Sequence, residues 1–226
     1  MLIDPYKFKS DPLAGNVVLL LRASGGTLQE LTGLPVVSVV GGGAISTAQA
    51  RFGTRSFRNP GTAAQGSNYI RAAHPTLYQF PGEFTFEGWF YITGTPDTYN
   101  NIFTGNIDFS AAGFFQVALI STLVFLWNSN PGPSFTTGGT TLNAWHHIAV
   151  TRNAANVIRY FVDGTLQVAT GTIAGTLGVG GTSFDIGRGM GSDNGDLQAY
   201  MDEIRITKSC RYTASFTPPS APFPYP

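Results

Sequence analysis

Few side chains in this sequence are of a type that does chemistry. Glycoside hydrolysis would need two carboxylates flanking one bond, about 5–5.5 Å apart for retention or about 6.5–9.5 Å for inversion. Four glutamates occur, Glu30, Glu83, Glu87 and Glu203. No Glu-x-Asp-x-Glu triplet is present, the pattern that sets three carboxylates on one face of a strand. Glu83 and Glu87 share a face if their segment is extended, but four residues of strand hold their Cα atoms about 13 Å apart. A strand-end position and pairing with arginine is the plainer expectation for these two. The chain is therefore expected not to be an enzyme.

Metal chemistry has two candidate groups. His146 and His147 are adjacent, so on a strand their imidazoles point to opposite faces and cannot chelate one ion. His74 precedes a proline and has no acidic neighbour. The stretch Gly191-Ser192-Asp193-Asn194-Gly195-Asp196 offers more, because Asp193, Asn194 and Asp196 supply hard oxygens on a loop, which calcium accepts. Its spacing is not that of an EF-hand, and Asx-rich loops also serve only to satisfy their own backbone. Calcium at these three residues is one expectation and a self-satisfied turn is the other. No other cofactor is expected.

Nucleophilic catalysis finds no Gly-x-Ser-x-Gly elbow, and nothing near Cys210 marks it as a reactive thiol. Gly187-Arg188-Gly189-Met190-Gly191 resembles a dinucleotide loop, but no helical pattern follows it. Glycan binding asks for aromatic platforms beside amides. Tyr99-Asn100-Asn101 and Trp127-Asn128-Ser129-Asn130 are such clusters at strand ends or in loops. Tyr99, Asn100, Asn101, Trp127, Asn128 and Asn130 are the candidate glycan contacts. The competing reading puts Trp127 in the core and makes the asparagines turn formers.

These residues sit in a chain of 226 residues, a length that suits one large all-β domain. Charged residues are 12% of the chain, with 13 basic against 13 acidic, so no field exists to attract a phosphate backbone and nucleic acid is excluded. The longest apolar run, Val17 to Leu21, is far too short to cross a bilayer, so no membrane association is expected. Cys210 is the single cysteine, which rules out an intramolecular disulfide. No signal-peptide pattern opens the sequence and no N-x-Ser/Thr acceptor occurs. Folding in a reducing cytoplasm is the expectation.

Helical periodicity is almost absent; Ser46–Arg51 and Pro75–Phe80 could each form one turn. Period-2 segments bounded by glycine, proline or asparagine recur instead, aided by 28 glycines and 14 prolines. Strands are expected near Asn16–Arg22, Val36–Val40, Arg55–Arg58, Tyr69–Ala72, Phe84–Thr93, Asn101–Ile107, Phe114–Ile120 and Thr122–Trp127. More are expected near Trp145–Asn153, Val157–Val162, Leu166–Thr170, Ser183–Gly187 and Ala199–Thr207. Phe84–Ile92 is apolar on both sides in its second half and should lie centrally. Asp163-Gly164 marks a hairpin turn. About a dozen strands with turns between them argue for an all-β, two-sheet antiparallel sandwich. Residues 1–15 read as an N-terminal arm, 16–208 as the sandwich, and 209–226 as a proline-rich extended arm anchored by Phe216, Phe223 and Tyr225 on its own sandwich or on a neighbouring subunit.

Trp145-His146-His147-Ile148-Ala149-Val150-Thr151-Arg152, then Arg159–Gly164, then Met201-Asp202-Glu203-Ile204-Arg205-Ile206-Thr207-Lys208, resemble the laminin-G-like/concanavalin A-like jelly-roll family. Phe84–Trp89 is similar to its Phe-Thr-Ile-Glu-Phe-Trp strand and Val17–Leu21 to its opening strand. The ending Arg211–Pro219 is similar to versions common in tailed-phage virion proteins. The resemblance spans roughly Asn16 to Pro219 and implies a jelly-roll sandwich. It further implies a bacteriophage virion component, made in the bacterial host cytoplasm, that acts as a capsid decoration or tail-associated protein. Its partners would be other virion proteins, further copies of itself as a homo-oligomer, and host-surface glycans. A receptor-binding tail-fibre or lectin domain for cell-surface polysaccharide is the alternative, with a glycoside hydrolase behind it. Where phage members of the family carry a His-Phe-Asp-Gly-like stretch after the first strand, this chain reads Arg22-Ala23-Ser24-Gly25. The acidic residue that helps hold a structural calcium in the wider superfamily is therefore absent.

Overall fold

The computed structural model describes residues 11–105, 113–120, 123–128, 135–167, 171–190 and 194–226. A 3-10 turn at Ala14–Asn16 leads into strands, in order β1 (Val17–Ser24), β2 (Thr27–Glu30), β3 (Val36–Val40), β4 (Ala44–Ser46), β5 (Ser56–Asn59), β6 (Tyr69–Ala73), β7 (Phe84–Gly94) and β8 (Tyr99–Gly105). There follow β9 (Phe115–Ile120), β10 (Leu123–Asn128), β11 (Phe135–Gly139), β12 (Trp145–Arg152), β13 (Ile158–Val162), β14 (Thr165–Leu166), β15 (Ser183–Ile186), β16 (Asn194–Asp196) and β17 (Gln198–Thr207). They form two sheets. The first runs β14-β13-β12-β7-β17-β1-β2, with β5 also on β17 and β4 on β5; the second runs β11-β10-β9-β8-β15-β6-β3, with β16 on β8. Pairing is antiparallel except between β16 and β8. The molecule is an all-β jelly-roll sandwich.

The sheets meet through alternate residues. On β7, Phe84, Phe86, Phe90 and Ile92 enter a core that also takes Leu19, Leu21, Phe103, Phe115, Ile148, Phe184 and Ile206. Phe84 and Phe86 stack at 4.3 Å, and Phe86 stacks on Phe115 at 5.4 Å across the sandwich. Thr85, Glu87 and Trp89 point the other way and are buried too, so β7 lies centrally with both faces covered. At its neighbour's end Arg152 is fully buried and donates to the carbonyls of Phe80, Gly82, Ile173 and Gly175, which pins two loops to β12. Burial without a carboxylate partner lowers its guanidinium to about 10.

Two local features set the geometry of the first sheet's outer side. Asp163 and Gly164 have φ of 50° and 74°, the paired positive values of a tight hairpin turn, and they join β13 to β14. On β17 the register slips between Asp202 and Arg205, and Glu203 takes φ 52°. This bulge gives β17 one more residue than β7 over the same span.

Some elements differ from the sequence expectation. β2, β4, β11 and β16 are strands that the alternation pattern does not predict. β2 (Thr-Leu-Gln-Glu) is an edge strand with no buried residue, β11 is glycine-rich, and β16 is the Asn-Gly-Asp piece of the Asx-rich loop, drawn into line beside Tyr99–Asn101. β14 ends at Leu166 rather than continuing towards Thr170, where residues 168–170 lie outside the described set. Neither Ser46–Arg51 nor Pro75–Phe80 is helical.

Candidate functional site

The outer face of the first sheet carries a polar network that a strand pattern would leave in water. Glu87 has no exposed surface and pairs with Arg205, at 2.7 Å, while Tyr212 donates to it at 2.9 Å and His147 Nε2 lies 3.3 Å away. Arg211 and Arg205 also reach Asp11. Burial pushes the Glu87 carboxyl up, but Arg205, His147 and Arg211 overcome it and hold the group at about 2. The segment after Thr207 closes over this face without forming a strand. Tyr212 stacks on Phe216 at 3.6 Å, Phe216 donates its backbone N–H to the Gly164 carbonyl, and Phe223, 2% exposed, lies 3.7 Å beneath the Arg205 guanidinium. The Glu203 carboxylate, lifted by the bulge, accepts the Phe223 N–H at 2.6 Å and two hydrogen bonds from the Nε–Nη2 edge of Arg22, which in turn donates to the Phe223 carbonyl.

Where this arm ends, it walls a cleft of about 340 Å³. Arg22–Gly25 from the end of β1 and the turn after it, Phe52–Arg55 from the segment before β5, Asp202 and Glu203 from β17, and Pro222 and Tyr225 from the arm line it. The Tyr225 ring lies under the Arg22 guanidinium at 5.1 Å. The Arg51 guanidinium faces both the Phe52 and Trp89 rings, 5.0 and 3.9 Å from their centres. Asp202 is 3% exposed and accepts the Phe52 N–H at 3.1 Å. Burial, reinforced by the Glu203 charge, raises its carboxyl to about 7 against the pull of that N–H. Among the described residues the Arg55 guanidinium donates to no acceptor and pairs with no carboxylate; it stands beside Gly26. Aromatic walls, an unpaired cation and a carboxyl near neutrality are what a polyhydroxylated ligand needs for stacking and for directional hydrogen bonds.

The second sheet carries its own outer polar cluster. Arg71 holds Asp185 with two hydrogen bonds of 2.9 and 2.8 Å, Arg188 adds a third at 3.0 Å, and both guanidiniums lie over the Tyr69 ring. The residues expected to bind glycan fall on this sheet. Asn100 and Asn101 are fully buried: the first bonds to Asp97 at both ends of its amide, and the second donates to Thr104 and Gln116. Tyr99, half-buried, opens β8. Trp127 and Asn128 stand opposite Gln116 and Phe115 in the β10–β9 register, and Asn130 lies outside the described residues.

Of the expected calcium ligands, Asp193 lies outside the described residues and Asn194 opens β16. Asp196 is fully buried and its two oxygens take backbone N–H groups from Gly66, Ser67, Asn68 and Gly189. Four amides on one carboxylate make it a fastener between two loops, and a cation there would have to displace them. His146 and His147 are separately engaged, His146 with Asp163 at 2.7 Å and His147 beside Glu87. Cys210 is half-buried, and burial raises its thiol above the ordinary value.

The cleft residues escape a sequence reading because no local motif contains them. They lie near positions 22, 53, 202 and 224, joined by the bulge and the arm. The one signal available is Asp202-Glu203 interrupting the apolar alternation of Met201 and Ile204.

A family profile described as the concanavalin A-like lectin/glucanases superfamily matches residues 64–214. The chain belongs to this superfamily. Solved structures agree with the concanavalin A-like fold. The binding domain of Paraclostridial Mosquitocidal Protein 1 superposes with a TM-score of 0.64 at 13% identity, over 88% of this chain and 50% of that one. Botulinum neurotoxin type C, described as needing two ganglioside molecules to enter cells, gives 0.64 at 14% identity over 88% and 49%. The binding domain of botulinum neurotoxin DC in complex with SialylT gives 0.64 at 12%, again over 88% and 49%. At these identities the likeness is one of fold, and this chain spans about half the length of each. No curated protein matches the chain by sequence.

Proposed function

We propose that this concanavalin A-like chain is a non-catalytic glycan-binding module whose site is the cleft between the β1–β2 turn, the segment before β5, the β17 bulge and the C-terminal arm. The observation that carries the reading is the cleft itself, about 340 Å³ in volume, with Phe52 and Tyr225 beside Arg55 and Asp202. Toxin binding domains of the same sandwich fold, described with gangliosides or SialylT, support a carbohydrate ligand. Hydrolysis would need a second carboxylate able to reach the same bond as Asp202. Glu203 is the neighbour, and both its oxygens are held by Arg22 and the Phe223 N–H. Binding of the full chain to a glycan array, lost in Tyr225→Ala, is the expected result; silence across the array would refute the reading.

The proposed setting is a bacteriophage virion, as a capsid decoration or tail-associated protein in several copies. Its support is the Arg211–Pro219 ending similar to tailed-phage proteins, together with a single cysteine and the absence of glycosylation acceptors. A tail-tip position would unite this setting with glycan binding at the host surface.

A further inference from the structure

The charges around the cleft do not cancel in the same way for every ligand. Arg22 and Glu203 neutralise each other through two parallel hydrogen bonds. Arg51 faces the Phe52 and Trp89 rings and does not line the cleft. That leaves Arg55, with no partner among the described residues, and Asp202. Building on the glycan-binding reading, we infer that the cleft selects a glycan bearing a carboxylate, which takes Arg55 as its counter-ion and lies beside Asp202. An unpaired guanidinium at the mouth of a partly apolar cavity favours a planar anion that it can hold with two hydrogen bonds. A neutral sugar would leave that cation without a match.

Asp202 sets the condition for binding. The charged and titratable groups around it are Glu203 on its own strand, Arg22 on β1, Arg51 and Arg55 before β5, and Tyr225 on the arm. Ionised, Asp202 repels an incoming carboxylate; protonated, it donates a hydrogen bond to it and leaves the cleft with one net positive charge from Arg55. Its carboxyl titrates at about 7, while a sugar carboxylate of ordinary acidity stays ionised well below that. Affinity for an acidic glycan therefore rises as the pH falls through neutrality, and affinity for a neutral one does not.

The test uses the full chain on an array of sialylated and uronic-acid glycans beside their carboxyl-reduced counterparts, at about pH 5.5 and about pH 8. The expected result is binding to acidic glycans over their reduced forms, stronger by about tenfold at the lower pH, as one linked proton allows. Asp202→Asn should bind acidic glycans equally at both pH values, and Arg55→Ala, which removes no hydrogen bond or ion pair among the described residues, should lose the preference. Capture of neutral glycans alone, or a pH dependence that survives Asp202→Asn, would overturn the inference while leaving glycan binding intact. No binding of any member would overturn both.

Discussion

Glu87 shows how a single buried charge can be held in a β-sandwich. Its carboxylate is surrounded by Arg205, Arg211, His147 and the Tyr212 hydroxyl, and the group is kept at about 2 where an unfolded glutamate titrates at 4.5. Because the folded value is the lower one, Glu87 contributes its full stabilisation above about 4.5, and that contribution disappears as the pH falls towards 2. Glu87→Gln leaves Arg205 buried against a neutral group, so a loss of about 3–5 kcal/mol is expected at neutral pH. Urea unfolding at several pH values should show the two proteins converging under acid; a constant difference would contradict the assignment. The sequence reading pairs Glu87 with arginine, as the ion pairs show, but sets it at a strand end, whereas it stands buried within β7. The burial is invisible in the sequence, since the cover comes from residues more than a hundred positions away.

Among the elements, β7 and β17 decide the geometry of the site. The β17 bulge lifts Glu203 towards Arg22 and the arm, and it needs room on the strand opposite. Gly88 supplies that room: a Cβ there would sit inside the Ile204 side chain and press on the Phe90 ring. Gly88→Ala should therefore cost about 1–3 kcal/mol, read as a lower thermal midpoint, and should weaken glycan binding by displacing Glu203. A variant with wild-type stability would show that the bulge tolerates a side chain. The long alternating strands and the Asp163-Gly164 hairpin are legible in the sequence because period and turn chemistry are local signals. Edge strands such as β2, with half its residues exposed, carry no such signal and become strands only by pairing with a neighbour.

For the whole molecule, the arm is part of the sandwich. It covers the buried network on β7, β12 and β17, seals Val17 and Leu20 beneath Phe223, and supplies Pro222 and Tyr225 to the cleft. Removing residues 210–226 should expose this face, lower the urea midpoint, raise binding of an apolar dye, and abolish glycan binding. A truncated chain of unchanged stability would mean that the arm is an ornament. Its proline content and its anchors are readable in the sequence; the surface receiving Phe223 is not, because a strand face bearing Glu87, His147 and Arg205 looks like one meant for solvent.

The arm also ties together distant parts of the chain. Arg22 bonds to Phe223 across 201 positions of chain, and Asp11 to Arg211 across 200. These contacts are about as distant in sequence as the β1–β17 pairing that closes the first sheet, where Val17 stands opposite Thr207, and contacts of such separation close slowly. The sheets alone do not complete the cleft: it has no far wall until the segment carrying Pro222 and Tyr225 is docked. A chain whose sheets have paired but whose arm is undocked would therefore lack one wall of the proposed ligand site.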